Sequence, residues 1–458
     1  MMLTLIALAC VVLPILGYAL YQRPQRGLLI LATLGPFHDL LMIVPHGHSF
    51  VPWKEGVLAL SALATFVTPN RTRNTGVSLP WLPAAVIFGA LGALSAVCVI
   101  RNVSAVYPIK ITFFYMVVVT FIMLRTPLTA RDRDHLVSIM MVVSTVTAIW
   151  GIGQQFVGAQ FLVDLGYKYD DTVRTSGPLL RSFSTFGQPF PFGLYVAMCL
   201  TICGSVALQN TARLRNRLYL IVTPILVVGM FLSIVRAAYL ALIVGLIWLA
   251  IHRYRKIFLV LLAAVVAGAV SLLYVPVRVL KSVFSSSSLG ERTAGWSQIG
   301  QSVMEHPFGE GLGTTGSAAE KIATAAHGAN DRYITLLRNL NPALNYQPDN
   351  YYVKVLLEVG PIGLWVLLLI LGTVVVSALR ASRTTTGPDS AFFLGVSASA
   401  VGVCVAAFFS TYFEIFPLDF YFWLLAGAVG CAVAQRRMSK ENPEPGRLES
   451  QPIASGAA

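Results

Sequence analysis

The feature that most constrains this chain is a series of long apolar runs separated by short polar ones. They fall near residues 2–20, 28–45, 55–69, 80–100, 106–124, 135–157, 189–208, 217–235, 237–251, 257–275, 352–379, 391–411 and 419–435. A helix of about 20 apolar residues is long enough to cross ~30 Å of hydrocarbon. Only 12% of the 458 residues are charged, where an average soluble domain has roughly 25%. The mean hydropathy is +0.71. The pattern predicts an all-α polytopic membrane protein of about 12–13 transmembrane helices with a large, partly helical extracytoplasmic loop. The runs at 28–45 and 55–69 are short and read either as spans or as a re-entrant pair. The first run is apolar from Met1 and lacks a small-residue cleavage pattern, so it reads as a retained span.

Basic residues mark every second loop. The clusters are Arg23/Arg26, Arg71/Arg73, Arg125/Arg131/Arg133, Arg213/Arg215/Arg217, Arg253/Arg255/Lys256, Arg380/Arg383 and Arg436/Arg437/Lys440. Positive charge accumulates on the cytoplasmic side of membrane proteins, which assigns these loops to the cytoplasm. The net charge of +13 follows from that bias, or in a sharper reading from a basic outer cavity for an anionic ligand. The expected organisation is a transmembrane bundle over 1–275 with about ten spans and an outer loop at 158–188. A large extracytoplasmic loop at 276–351, helices at 352–435 and a disordered cytoplasmic tail at 436–458 follow it. All six cysteines lie in apolar runs, which suggests neither a disulfide framework nor a cysteine metal site. The two halves lack matching Gly/Pro-broken helices, which weighs against a secondary transporter. His38 and Asp39 lie within the second run and read as a re-entrant segment or the lip of a short span.

Several cations then face outward. Arg181 lies in LLRSFSTFGQPFPFGLY, Arg236 in FLSIVRAAYLALIVG and Arg292 in LGERTAGWSQIG, with Arg101 and Lys110 near the outer end of the fifth span. Lone basic side chains at this depth often snorkel to the headgroups. Arg236 fits that poorly, because almost no loop separates its two helices. Charges at membrane depth normally have a partner or a task, and the guanidinium fork matches phosphate oxygens two at a time. A lipid-linked diphosphate would present its phosphates at this level. Asp349 and Asn350 stand where the long polar segment meets the next apolar run. They read as a helix N-cap, for which both residue types are preferred, and as polar groups at the floor of an outward chamber. Glu358 reads as structural, paired with Lys354 at i, i+4 or bonded across helices.

Four segments in order resemble the O-antigen ligase and Wzy-type polymerase superfamily, membrane glycosyltransferases of the GT-C class. They are RSFSTFGQPFPFG at 181–193, SIVRAAYLAL at 233–242, ERTAGWSQIGQSVMEHPFGEGLGTTG at 291–316 and DNYYVKVLLEVGPIGL at 349–364. The resemblance implies transfer of glycan from undecaprenyl diphosphate on the outer face of the bacterial inner membrane. It implies that Arg181 and Arg236 hold the diphosphate, and that the chemistry is inverting and needs neither metal nor cofactor. Arg292 and Lys110 are expected beside them. Ligases of the superfamily commonly place a histidine where this chain has Asp349. That departure favours polymerisation, with Asp349 taking the acceptor proton and Asn350 orienting the sugar. Tyr352, His327 and His306 are expected sugar or acceptor contacts, His306 with a structural turn as its other reading. The expected partners are the lipid-linked glycan, a glycan or lipid acceptor, membrane lipid and a polysaccharide chain-length regulator. Nucleic acid is not among them. The alternatives are a ligase that attaches finished glycan to lipid A-core or another surface acceptor, and a transporter or flippase of an anionic lipid.

Overall fold

The helices form where the apolar runs predict them, and small residues decide how closely they pack. The computed structural model describes residues 16–44, 47–67, 79–100, 105–169, 172–176, 179–272, 296–315 and 350–441, together with positions 14 and 77. The helices are α1 (Arg26–Leu34), α2 (Trp53–Val67), α3 (Leu82–Ile100), α4 (Val106–Arg125) and α5 (Ala130–Asp164). Then come α6 (Pro189–Gln209), α7 (Leu214–Leu232), α8 (Arg236–His252), α9 (Ile257–Leu272) and α10 (Trp296–Glu305). The last are α11 (Tyr351–Thr384), α12 (Gly387–Ala406) and α13 (Leu418–Glu441). Strand among the described residues is confined to a hairpin, with β1 (Thr175–Ser176) antiparallel to β2 (Leu179–Leu180).

Among the described residues, α4, α5, α6, α7, α11 and α12 are long and apolar enough to cross a membrane. Shorter apolar stretches follow at Leu82–Cys98, Arg236–His252 and Leu418–Ala432. The chain is thus an all-α polytopic membrane protein. Most of the first run and most of 276–351 lie outside the described residues, as does the tail beyond 441. The tail was expected from 436, but α13 continues through Glu441. The second run does not form one straight helix. α1 rises only about 14 Å at 1.5 Å per residue, and the chain then tightens into a 3₁₀ segment, Gly35–Met42, with Pro36 at its start. The expected outer loop at 158 coincides with a break in α5, where Gly158 takes φ +79° before helix resumes to Asp164.

The core lies along α6 and α12, both buried over most of their length. In hydrocarbon, helices gain from close backbone approach through small residues, and the glycines here meet that demand. A Cβ on Gly395 of α12 would stand 2.7 Å from Ile202 Cα of α6, and one on Gly402 would stand 2.8 Å from the Ala241 carbonyl of α8. Gly245 of α8 faces Thr201 in the same way.

The basic loops gather at one end of this bundle. Arg133 forks onto Asp389 through Nε and Nη2 at 3.2 and 2.6 Å. Arg213 and Arg215 share Asp134, and Arg253 donates to Ser390 at 2.5 Å. Arg181, Arg236 and Asn350 belong to the other end of the same helices. α5 alone separates Ala130 from Gly158 by roughly 42 Å.

Replacing Gly395 by valine is expected to destabilise the protein by about 1–3 kcal/mol, because the obstructing atoms are backbone and cannot turn aside. Thermal unfolding in detergent checks this. An unchanged melting temperature would show that the contact is looser than described.

Candidate functional site: an arginine group at the end of the bundle

The stretch RSFSTFGQ turns across the ends of three helices, and almost every polar atom in it is used. Arg181 leaves the hairpin with its N–H bonded to the Arg174 carbonyl at 2.8 Å, and the next N–H, of Ser182, bonds to the Leu232 carbonyl at the end of α7. Ser182 Oγ donates to the Gly151 carbonyl at 2.7 Å. Gln154 Oε1 accepts from the N–H groups of Phe183 and Ser184, and its Nε2 donates to the Ser184 carbonyl. Gln155 Nε2 donates to the Leu180 carbonyl and to Ser182 Oγ. Ser184 takes φ +57° and sends its hydroxyl to the Thr147 carbonyl at 2.6 Å. Thr185 bonds to the Pro36 carbonyl, and the Gly187 N–H to Asp39 Oδ2 at 2.6 Å. Buried backbone groups must be satisfied somewhere. Here α5 and the 3₁₀ segment satisfy them, so the loop is held like an element of secondary structure.

The second arginine is fixed by the turn between α7 and α8. Ser233 Oγ donates to the Met230 carbonyl at 2.6 Å, and Tyr239 Oη to the Phe231 carbonyl at 2.6 Å. Ile234 takes φ +52°, a costly conformation for a β-branched residue. The strain lets Arg236 start a new helix three residues after Ser233. The two sequence motifs also touch. Gly193 of α6 lies against Ser233, where a Cβ would come within 2.7 Å of Oγ, and the Ser182 N–H reaches Leu232.

Arg181 and Arg236 are thereby brought within electrostatic reach of each other, with Arg174 as a third guanidinium. Burial, then Arg174 and Arg236, push Arg181 below the usual arginine range, while Tyr239 acts the other way. Arg181 keeps its charge all the same. Its Nε is buried without a hydrogen-bond partner among the described residues. Such a cation, pressed by two others, is stabilised by an anion. Nothing in the sequence singled out Arg174. Gln154 and Gln155, adjacent amides within a long apolar helix, were the readable sign that a polar segment docks there.

The last motif begins with a cap. Asn350 Oδ1 accepts from the N–H groups of Tyr352 and Val353 at 3.0 and 3.3 Å. The Tyr351 N–H reaches the Ala407 carbonyl at the end of α12, so α11 starts at the same end of the bundle as the arginines. Tyr352 is buried and donates its hydroxyl to the Cys404 carbonyl at 2.7 Å. That bond and its ring contact with Phe408 hold its side chain against the end of α12. Lys110, expected beside the arginine group, pairs with Glu55 of α2 at 2.9 Å. His306 closes the end of α10 through its backbone. Its N–H bonds to the Ser302 carbonyl and its own carbonyl accepts from Gly309. Asp349, Arg292 and His327 lie outside the described residues. Among the described residues, no group of three or more His, Cys, Asp or Glu could hold a metal ion.

One turn inside α11 sits a buried charge cluster. Lys354 Nζ stands 2.5 Å from Glu358 and 2.7 Å from Glu414, all three side chains at most 1% exposed. Glu358 Oε1 also accepts from the N–H and hydroxyl of Thr315, both at 3.0 Å. The helix breaks just beyond, where Gly360 takes φ +80° before Pro361. The freed carbonyls of Leu357 and Glu358 accept from the N–H groups of Glu310 and Gly311. The glycine-rich segment GEGLGTT is therefore locked into the wall of α11. The pairing expected of Lys354 and Glu358 is present together with a bond across elements.

These features lie mostly within a segment matched by the family model for O-antigen ligase, which covers residues 221–368. Residues 221–368 form a domain of the O-antigen ligase family. Arg236, the glycine-rich segment and Asn350 fall inside the match, and Arg181 and its loop precede it. The domain marks the chain as an O-antigen ligase- or polymerase-like membrane enzyme, whose substrates in general are a lipid-linked glycan and an acceptor. No curated protein matches the chain.

Replacing Lys354 by methionine would leave Glu358 and Glu414 buried without their cation, at an expected cost of about 3–5 kcal/mol. Thermal or chaotrope unfolding measures it. A variant as stable as the parent would contradict the assignment of this cluster as an anchor.

Proposed function

We propose that the chain is a polysaccharide polymerase of the outer face of the bacterial cytoplasmic membrane, moving glycan from undecaprenyl diphosphate onto a growing chain. The observation that carries the proposal is the half-buried guanidinium of Arg181, whose Nε has no hydrogen-bond partner among the described residues, with Arg174 and Arg236 acting on it. A diphosphate brings negative charge to the Arg181 guanidinium, and guanidinium forks bind phosphate oxygens in pairs. The positive-inside pattern supports an outward position for the site, since Arg133, Arg213 and Arg215 lie at the opposite end.

In this reading the bond between the anomeric carbon and the diphosphate oxygen breaks, and the leaving electron pair stays on the lipid diphosphate. Arg181, Arg236 and Arg174 stabilise that developing charge, with Arg292 from the large loop. The acceptor hydroxyl attacks the anomeric carbon from the opposite face with inversion, and its proton passes to Asp349. Asn350 is committed through Oδ1 to the cap of α11, and Nδ2 is its remaining donor for the sugar. Asp349 stands where ligases of this superfamily commonly carry histidine, which favours polymerisation. The ligase reading is the second one, favoured by the family match itself.

Reconstitution with a lipid-diphosphate oligosaccharide separates these readings. A ladder of product lengths is expected. A single addition to a different acceptor would establish the ligase instead. Arg181→Ala and Arg236→Ala are each expected to slow transfer by on the order of 10²–10³. Asp349→Ala is expected to bind donor yet form no glycosidic bond. Continued lipid movement without bond formation in that variant would mark a transporter.

A further inference from the structure

A cavity lies at the far end of the bundle from Arg181, where the basic loops meet. It has a volume of about 400 Å³ and is bounded by the start of α5, the end of α6, Arg213 and the start of α12. Its charged rim holds Arg131, Arg133, Arg213, Asp134 and Asp389. The two carboxylates are already engaged. Asp389 takes both prongs of Arg133, whose side chain is only 2% exposed. Asp134 is shared between Arg213 and Arg215, at 2.9 and 3.0 Å. Arg131 is exposed and carries no hydrogen bond or ion pair among the described residues. The rim therefore holds a cationic excess, with one guanidinium uncommitted and a second half exposed.

The inner wall is different. Ala130 and Pro388 present exposed apolar surface there, and the buried Val137, Val206 and Phe392 close its base. A cationic rim above an apolar wall suits a ligand that carries an anion and hydrocarbon together. A soluble anion would use the rim and gain nothing from the wall. The depth fits as well, since the cavity lies at the ends of α5, α6 and α12, where phospholipid headgroups meet the interface. Basic pockets between membrane helices hold anionic headgroups in this way.

We propose that this cavity binds the phosphate headgroup of an anionic phospholipid from the leaflet at the basic end. The lipid's phosphate bridges Arg131 and Arg213, and its glycerol and upper chains lie against Ala130 and Pro388. Such a lipid would tie the loop between α6 and α7 to the loop between α11 and α12. The site is separate from the proposed donor site and does not depend on it.

The test uses the full chain in neutral detergent, with short-chain phosphatidylglycerol as the probe and thermal unfolding as the readout. Phosphatidylglycerol is expected to raise the melting temperature saturably. Short-chain phosphatidylcholine and equimolar inorganic phosphate are expected to leave it unchanged. Arg131→Ala should weaken half-saturation by roughly tenfold, as for loss of one charge-assisted contact. Arg131→Lys should restore part of it, and Arg131→Ala combined with Arg213→Ala should abolish the shift. The Arg181→Ala protein should respond like the parent. An equal shift with inorganic phosphate would overturn the lipid assignment in favour of a free-anion site. An unchanged shift in the double variant, or its loss in Arg181→Ala, would overturn the site itself. Should the double variant unfold early, the single Arg131→Ala and Arg131→Lys titrations decide alone.

Discussion

A half-buried guanidinium at the edge of a membrane bundle, with two more pressing on it, is the constraint around which the rest is arranged. Like charges at that depth repel strongly, because little water is present to screen them. A chain keeps such a group only if its fold holds the charges in place. The fold does hold them. Arg181 hangs from a loop fastened by Gln154, Gln155, Thr147 and Asp39, and Arg236 opens a helix immediately after a strained turn. In the proposed function, such a prearranged electrostatic site would stabilise a leaving group effectively.

The scaffold explains how two motifs some fifty positions apart become one site. Gly193 lets α6 approach Ser233, and the Ser182 N–H reaches the last carbonyls of α7. On the other side, the break at Gly360 opens α11 so that the glycine-rich segment can bond to its freed carbonyls. Lys354 joins Glu358, which holds Thr315, to Glu414 beyond α12. Two distant stretches of chain thus converge on the first two turns of α11, whose cap is Asn350. Removing one partner of a buried ion cluster of this kind is costly, so it holds these elements together.

Much of this was legible in the sequence, for physical reasons. The helices follow from runs of apolar residues that only a spanning helix can bury, and Asn350 was readable as a cap because its side chain acts on its own neighbours. The pairing of Lys354 with Glu358 is likewise local, one helical turn apart. What stayed hidden depends on contacts between distant elements. Glu414 reads as an ordinary loop acid until the fold brings it to Lys354. Arg174 looks like any exposed loop residue until the hairpin turns it toward Arg181. Lys110 looked like a site residue from its depth alone, and only α2 supplies the Glu55 that claims it. The second run read as a full span or a re-entrant segment, and Pro36 resolves it into a short helix and a 3₁₀ segment.

The central claim is that the arginine group recognises a diphosphate. Equilibrium binding of short-chain polyprenyl diphosphate and polyprenyl monophosphate to the purified chain tests this most directly. The account predicts that the diphosphate binds far more tightly than the monophosphate, and that the preference disappears when Arg181 and Arg236 are both replaced by alanine. Equal affinity for the two lipids in the parent protein, or a preference that survives the double replacement, would contradict it.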